Sequence, residues 1–160
     1  MHDYRTIDNG GMEVPVKAYS ILLFLFFTLM AAPVLASDVG SVKGTEGQAW
    51  IIRGEEQILA KTGTRLMVND VMKTGADGAM GIILRDDTII SMGPSSQMVL
   101  SEFVFQPEQK HLGMLTKFLK GTFTYISGVM AKLDPESVKV ETPEGMVAIR
   151  GTHFLIKVEE

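Results

Sequence analysis

The feature that most constrains the fold is a series of short apolar runs, each ended by a turn residue, that follows residue 36. Glycine, Asp-Gly or proline interrupts these runs about every ten residues, the spacing typical of a domain made of short strands. Helical periodicity is nearly absent, and a βαβ domain would need it. The pattern therefore predicts a single all-β domain over residues 37–160, because no long linker interrupts it.

Several segments carry specific expectations. Strands over 79–84 and 88–92 flank the reverse turn at Arg85-Asp86-Asp87 and predict a hairpin. We interpret the acidic pair Asp86 and Asp87, like Glu55-Glu56, as solvated charge in a turn. Further predicted elements are a strand over 48–53, a strand over 97–105 bulged near Ser101, strands over 114–119 and 122–126, one or two helical turns over 128–133, and strands over 138–142 and 146–158.

The arrangement of the strands is left open by the sequence. Repetition of a turn-strand unit is compatible with a solenoid-like stack and with a β-sandwich. The irregular spacing argues against a long, regular β-helix.

An apolar segment near the start predicts export. Residues 21–32 are too few to span a membrane, which takes roughly 20, but they match the core of a signal peptide. Val34-Leu35-Ala36 fits a cleavage site after Ala36, so residues 1–36 are expected to form a signal peptide helix and the mature chain to start at Ser37 in the periplasm or outside the cell. Acidic residues outnumber basic ones before the apolar segment, which suggests Met12 as the true start. Contact with a membrane is expected only if this segment stays uncleaved.

Composition and spacing argue against several functions. The formal net charge of -4 provides no basic field for nucleic acid, and the absence of cysteine removes disulfides, thiolate ligands and lipidation at cysteine. His2, His111 and His153 lack ligand-spaced partners, and no Gly-x-Ser-x-Gly turn is present. We therefore expect no enzyme, no cofactor and no metal.

The methionines and the tryptophan are interpreted as core residues. Methionine thioethers are suitable ligands for Cu(I). The methionines of this chain, however, are scattered among apolar positions of separate strands, as expected of residues that fill a core. They are Met67, Met72, Met80, Met92, Met98, Met114, Met130 and Met146. Trp50, in an otherwise aliphatic strand, is expected in the core rather than on a sugar-binding surface.

The segment Thr142-Pro-Glu-Gly-Met-Val-Ala-Ile-Arg-Gly-Thr-His-Phe154 resembles the end of the FecR domain. Upstream pieces agree with the same family: Val42 with Gly44, Leu66 with Asp70-Val71, Thr74-Gly75-x-x-Gly78, Gly93-Pro94-Ser95, Lys120-Gly121-Thr122-Phe123 and Ile126-Ser127-Gly128. The family commonly has glycine where this chain has Asp87, which leaves the local turn type open.

The resemblance implies a periplasmic, non-catalytic module in envelope signalling. FecR-like sigma regulators carry a cytoplasmic helical region, which we do not find here, so we expect a stand-alone module that binds unknown envelope or membrane proteins. The family-signature residues are Thr142, Pro143, Arg150, Gly151, Thr152 and Phe154. We interpret them as structural, because glycine allows a close approach of the backbone and arginine can donate hydrogen bonds to the carbonyls of neighbouring strands. Arg150 is also a candidate for recognition of a partner.

Two alternatives remain at this stage. A small-molecule or glycan-binding module would be favoured if a concave exposed surface carried Trp50 or Tyr125. A minimal membrane-tethered transducer would follow if the apolar segment were retained.

Overall fold

A computed structural model describes residues 38–147 and 152–159, and these residues form twelve β-strands. The strands are β1 (Gly40–Glu46), β2 (Ala49–Arg53), β3 (Glu56–Leu59), β4 (Arg65–Leu66), β5 (Val71–Thr74), β6 (Ala79–Leu84), β7 (Ile89–Met92), β8 (Gln97–Gln106), β9 (His111–Ile126), β10 (Val138–Thr142), β11 (Gly145–Val147) and β12 (His153–Val158). A short α-helix, α1 (Val129–Leu133), lies between β9 and β10 and is followed there by a 3-10 helix at Pro135–Ser137. Another 3-10 helix, Pro107–Gln109, separates β8 from β9. The all-β prediction is confirmed, while the predicted signal peptide lies outside the described residues.

The strands form one curled sheet with the order β3-β2-β5-β8-β9-β7-β6-β1-β4, and β10 and β12 also pair with β9. Of the pairings among the described strands, only the one between β10 and β9 is parallel. The rungs of a β-helix pair in parallel. The structure is therefore a curled, mainly antiparallel sheet rather than a stack of parallel rungs.

Strand β9 connects two halves of this sheet. Its first part pairs with β8 and β10, and its last part pairs with β7 and β12. We call the part of the sheet with β1, β4, β6, β7, β12 and the end of β9 the first half, and the part with β2, β3, β5, β8, β10, β11 and the start of β9 the second half.

The prediction of separate strands over 114–119 and 122–126 was wrong, because β9 is continuous. Gly121 has a φ of +102°, a conformation that a residue with a side chain rarely adopts. A Cβ on Gly121 would also collide with Ser96. Glycine therefore lets the strand bend from one half into the other without ending.

Inward-facing residues of both halves form a single core. Phe118 and Phe123 stack at its centre with their ring centroids 4.2 Å apart. Met72 lies opposite Met98, and Met80 lies opposite Met92, on adjacent antiparallel strands. Six of the eight methionines are buried as expected, namely Met72, Met80, Met92, Met98, Met114 and Met130. Met146, on edge strand β11, is 67% exposed and contradicts that expectation.

Three local predictions are confirmed. Strands β6 and β7 form the hairpin around Asp86. The register of β8 shifts between Leu100 and Glu102, where the bulge was expected. The helical stretch corresponds to α1, which ends before Pro135.

Candidate functional site

The signature segment contributes to both halves of the sheet. Its first part forms the β10–β11 hairpin, in which the Thr142 hydroxyl donates to the Gly145 carbonyl at 3.2 Å and Pro143 is exposed in the turn. Its last part is β12, which pairs with the end of β9. Arg150 and Gly151 lie outside the described residues, so their structural and recognition roles stay predictions.

The end of the signature is held by Tyr125 and Ser127. The ring of Phe154 stacks on that of Tyr125 with a centroid distance of 4.7 Å, and the Ser127 amide donates to the Thr152 carbonyl at 2.9 Å. The side chain of Thr152 is exposed. His153 is exposed while Phe154 packs against the core, as the alternation along a strand requires.

The interpretation of Asp86 as solvated charge was wrong, because its side chain is 1% exposed. Its carboxylate accepts a hydrogen bond from the Thr88 hydroxyl at 2.7 Å and another from the Thr88 amide at 3.1 Å. The Met130 amide donates to the same carboxylate at 3.4 Å. Asp86 therefore connects the β6–β7 turn to α1 through hydrogen bonds. A buried carboxylate is tolerated only when such donors surround it.

Gly128, directly before α1, allows the backbone of the β6–β7 turn to approach closely. Its amide donates to the Thr88 hydroxyl at 3.1 Å, and a Cβ at this position would collide with the Asp86 carbonyl and the Thr88 amide. Tyr125 lies in the same region, and its burial raises the pKa of its phenol well above the ordinary value, an effect that a hydrogen bond with Thr88 opposes. The cluster joins the β6–β7 turn to α1 next to the start of the signature strand β12.

A second polar anchor lies in the other half. Arg53 donates from Nε to Asp70 Oδ1 at 2.8 Å and from a terminal nitrogen to Oδ2 at 2.7 Å. Asp70 is 1% exposed and also accepts from the Met67 amide. The hydrogen bond to Asp70 raises the pKa of the Arg53 guanidinium above its ordinary value. Sequence reasoning missed this pair because 17 residues separate its members.

Trp50 was expected in the core, and this was wrong. Its neighbours Ala49 and Ile51 are buried, so Trp50 faces outward on β2, half-buried and opposite Leu59 and Lys73. Ile52, Val71 and Val99 follow in the adjacent cross-strand row on the same outer face. We call Trp50, Ile52, Leu59, Val71 and Val99 the Trp50 surface. Tyr125, the other aromatic side chain considered for a binding surface, is fully buried.

A shallow hollow lies on the outer face of the first half. Its volume is about 380 Å³, and its floor includes Gly44, Gly81 and Ser91. Trp50 is not part of its lining. Within residues 38–147 and 152–159, no group of three acidic or histidine side chains is placed to hold a metal ion. No helix in that same part of the chain is long and apolar enough to cross a membrane.

The sequence of this strand-rich region matches a known family. A family model described as FecR protein matches residues 70–160. The chain belongs to the FecR family. No curated protein and no solved structure matches it. The match starts at Asp70, so the resemblance noted at Val42, Gly44 and Leu66 lies outside it.

Membership of the FecR family supports a function of the envelope signalling or sensing type, since the family is regulatory and non-enzymatic. The backbone conformation of Asp87 accounts for the family's usual glycine at this position. Asp87 has a φ of +65°, in the left-handed region that glycine adopts most easily and that aspartate tolerates better than most residues. The turn thus keeps a glycine-like conformation with aspartate in place.

Proposed function

We propose that this protein is an exported FecR module that binds another protein of the bacterial envelope and carries out no catalysis itself. Family membership supports the regulatory class of function. The observation that carries the interaction role is the Trp50 surface, where a tryptophan and four aliphatic side chains lie on the outer face of a sheet.

The composition of the Trp50 surface suits protein binding. Tryptophan is among the residues that contribute most to binding energy at protein interfaces, especially when less critical contacts surround it. Leu59, directly opposite Trp50 on β3, is 55% exposed, and Lys73 is exposed on the other side. An apolar centre with a charged margin is the usual anatomy of an interface.

The rival function, binding of a small molecule or glycan, receives less support. It called for a concave exposed surface with Trp50 or Tyr125, but Tyr125 is buried and the hollow is lined by other residues. A protein partner is consistent with a broad apolar face, whereas small ligands are usually enclosed by a pocket.

The proposal is tested by site-specific crosslinking in cells. A photoreactive amino acid replaces Trp50 in one variant and Leu133 in another, because Leu133 is an exposed apolar residue on α1 outside the Trp50 surface. We expect position 50 to capture a specific envelope protein that position 133 does not. Capture at neither position, or equal capture at both, would refute the role of the Trp50 surface.

The same samples test export. Mass spectrometry of the purified protein should show a chain that starts at Ser37. A retained segment 21–32 with only inner-membrane neighbours would instead support the membrane-tethered transducer.

A further inference from the structure

The outer face of the first half is ordered into cross-strand rows. In the central row, Gly44, Gly81, Ser91, Thr124 and Leu155 lie side by side on β1, β6, β7, β9 and β12. The row begins with two residues that have no side chain and ends with Leu155, which is 69% exposed. One edge of the face is therefore hollow, and the opposite edge carries an apolar projection.

The fold does not require the two glycines that form the hollow. A Cβ on Gly44 would meet nothing within 4 Å, and one on Gly81 would be 3.9 Å from Lys43 and 4.0 Å from Ser91, which are ordinary contacts. Neither residue has a positive φ. Glycine inside a strand lowers stability, and it often marks a place where another chain or ligand approaches closely.

One cross-strand row lies on each side of the central row, and in each of them the residues near one edge suit those near the opposite edge. Ile83, Ile89 and Ile126 make an apolar row across β6, β7 and β9. On the other side of the central row, Glu46 lies at the β1 edge, and Lys157 lies at the β12 edge. Both of these charged side chains are exposed, and Lys157 Nζ also lies 2.6 Å from Glu159 Oε1 in an exposed ion pair.

We propose that this face binds the same face of a second copy of the chain, around a two-fold axis that runs along β7. Such an axis places Leu155 over the hollow between the partner's Gly44 and the partner's Gly81. It also places Ile83 against the partner's Ile126, and Glu46 against the partner's Lys157. Each contact forms twice, because the same patch of both copies makes a two-fold interface.

A second copy explains more of this face than another occupant does. A foreign peptide would fill the hollow, but it would leave the exposed Leu155 at the opposite edge without a role. Sheets that pack face to face cross at about 30°, so the axis is inclined to β7 by about half that angle and the outer strands are displaced along their length. The hollow tolerates this displacement because it extends along β1 from Lys43 to Glu46.

The size of the face predicts a weak dimer. Five strands about 4.8 Å apart and three rows about 7 Å apart give a footprint of about 500 Å² on each copy. A total of about 1,000 Å² is at the lower end for specific interfaces. We therefore expect reversible, concentration-dependent association, which goes beyond the binding of an envelope partner.

Charge reversal provides the first test. Glu46→Lys and Lys157→Glu each place like charges opposite each other in the proposed dimer, whereas a mixture of the two variants restores both opposite pairs. By sedimentation equilibrium, the unaltered protein should form dimers, each variant alone should remain monomeric, and the equimolar mixture should form dimers again. A monomeric unaltered protein, or variants that dimerise as well as it does, would overturn the proposal.

Crosslinking in cells provides the second test and uses the complete chain. Ser91→Cys places a thiol on the two-fold axis, and the chain has no other cysteine. Facing sheets are about 10 Å apart, farther than a disulfide reaches, so a bifunctional maleimide about 8 Å long is used. We expect a covalent dimer from Ser91→Cys and none from Glu55→Cys, whose position is an exposed turn of the other half. Equal or absent crosslinking of the two variants would contradict the assigned face.

Discussion

Arg53 and Asp70 form a bidentate ion pair, with hydrogen bonds of 2.8 and 2.7 Å, between β2 and the residue that precedes β5. The guanidinium also donates to the Arg65 carbonyl at 2.9 Å, so one side chain ties together three segments that are distant in the sequence. Because Asp70 is buried, these donors offset the free-energy cost of taking its carboxylate out of water.

We predict that Arg53→Ala lowers the free energy of unfolding by about 2–4 kcal/mol, because it leaves the Asp70 carboxylate buried with fewer donors. Arg65→Ala is the matched control. Its ion pair with Asp38 is exposed and should contribute no more than about 1 kcal/mol. Urea unfolding of the three proteins measures both losses, and equal losses would contradict the structural role of Asp70.

The adjacent residues Asp86 and Asp87 should respond differently to substitution. Asp86→Asn replaces one of the two accepting oxygens by an NH2 group, which cannot accept, so the hydrogen bonds from Thr88 and Met130 cannot all be kept. We expect a loss of about 2–3 kcal/mol. Asp87→Gly should leave stability unchanged or raise it by up to about 1 kcal/mol, because φ at this position is positive. Thermal unfolding checks both, and a larger loss at Asp87 would show that the turn is arranged otherwise.

Tyr125 should make the protein sensitive to alkaline conditions. Burial raises the pKa of its phenol in the folded state. A raised folded-state pKa contributes stability that is fully present below the ordinary pKa of about 10 and is lost progressively above it, as the unfolded chain ionises. Stability should therefore fall above about pH 10 more steeply in the unaltered protein than in Tyr125→Phe.

Denaturant unfolding between neutral pH and alkaline pH measures this difference, and the absorbance of tyrosinate reports ionisation directly. The other tyrosines, Tyr4 and Tyr19, precede Ser37, so they would be missing from a chain processed at Ala36. Ionisation of Tyr125 at its ordinary pKa in the folded protein would refute the prediction.

Gly128 and Gly44 differ in the space that is available for a side chain. Gly128→Ala should lower stability by at least about 2 kcal/mol, since the new methyl group collides with the backbone of the Asp86 turn. Gly44→Ala should leave stability unchanged or raise it by up to about 1 kcal/mol, because the methyl group meets nothing within 4 Å. Urea midpoints at low protein concentration test both variants, and similar losses would contradict the close approach at Gly128.

Much of the strand content could be predicted because its signals are local. The β6–β7 hairpin follows from a turn between two apolar runs, and the bulge of β8 follows from a break in alternation near Ser101. The continuity of β9 could not be predicted, since Lys120-Gly121 also has the composition of a turn. In the structure Gly121 lies close against Ser96, which is distant in the sequence, so local composition does not reveal that approach.

The candidate site was less predictable than the strands. The FecR signature was visible in the sequence, and the structure shows its Phe154 stacked on Tyr125. The outward direction of Trp50 was missed, because an alternating strand has two faces and sequence alone does not say which one meets the core when both are apolar.

By itself, the sequence determined the all-β class, most of the turns and the family, because strand spacing, turn chemistry and an ordered motif are properties of neighbouring residues. Only the tertiary structure decided which charged and aromatic side chains are buried. Asp86 and Asp87 are adjacent and chemically identical, yet one is buried against Thr88 and Met130 while the other is exposed. Burial depends on how distant segments pack around a residue, and the chain order of its neighbours does not encode that packing directly.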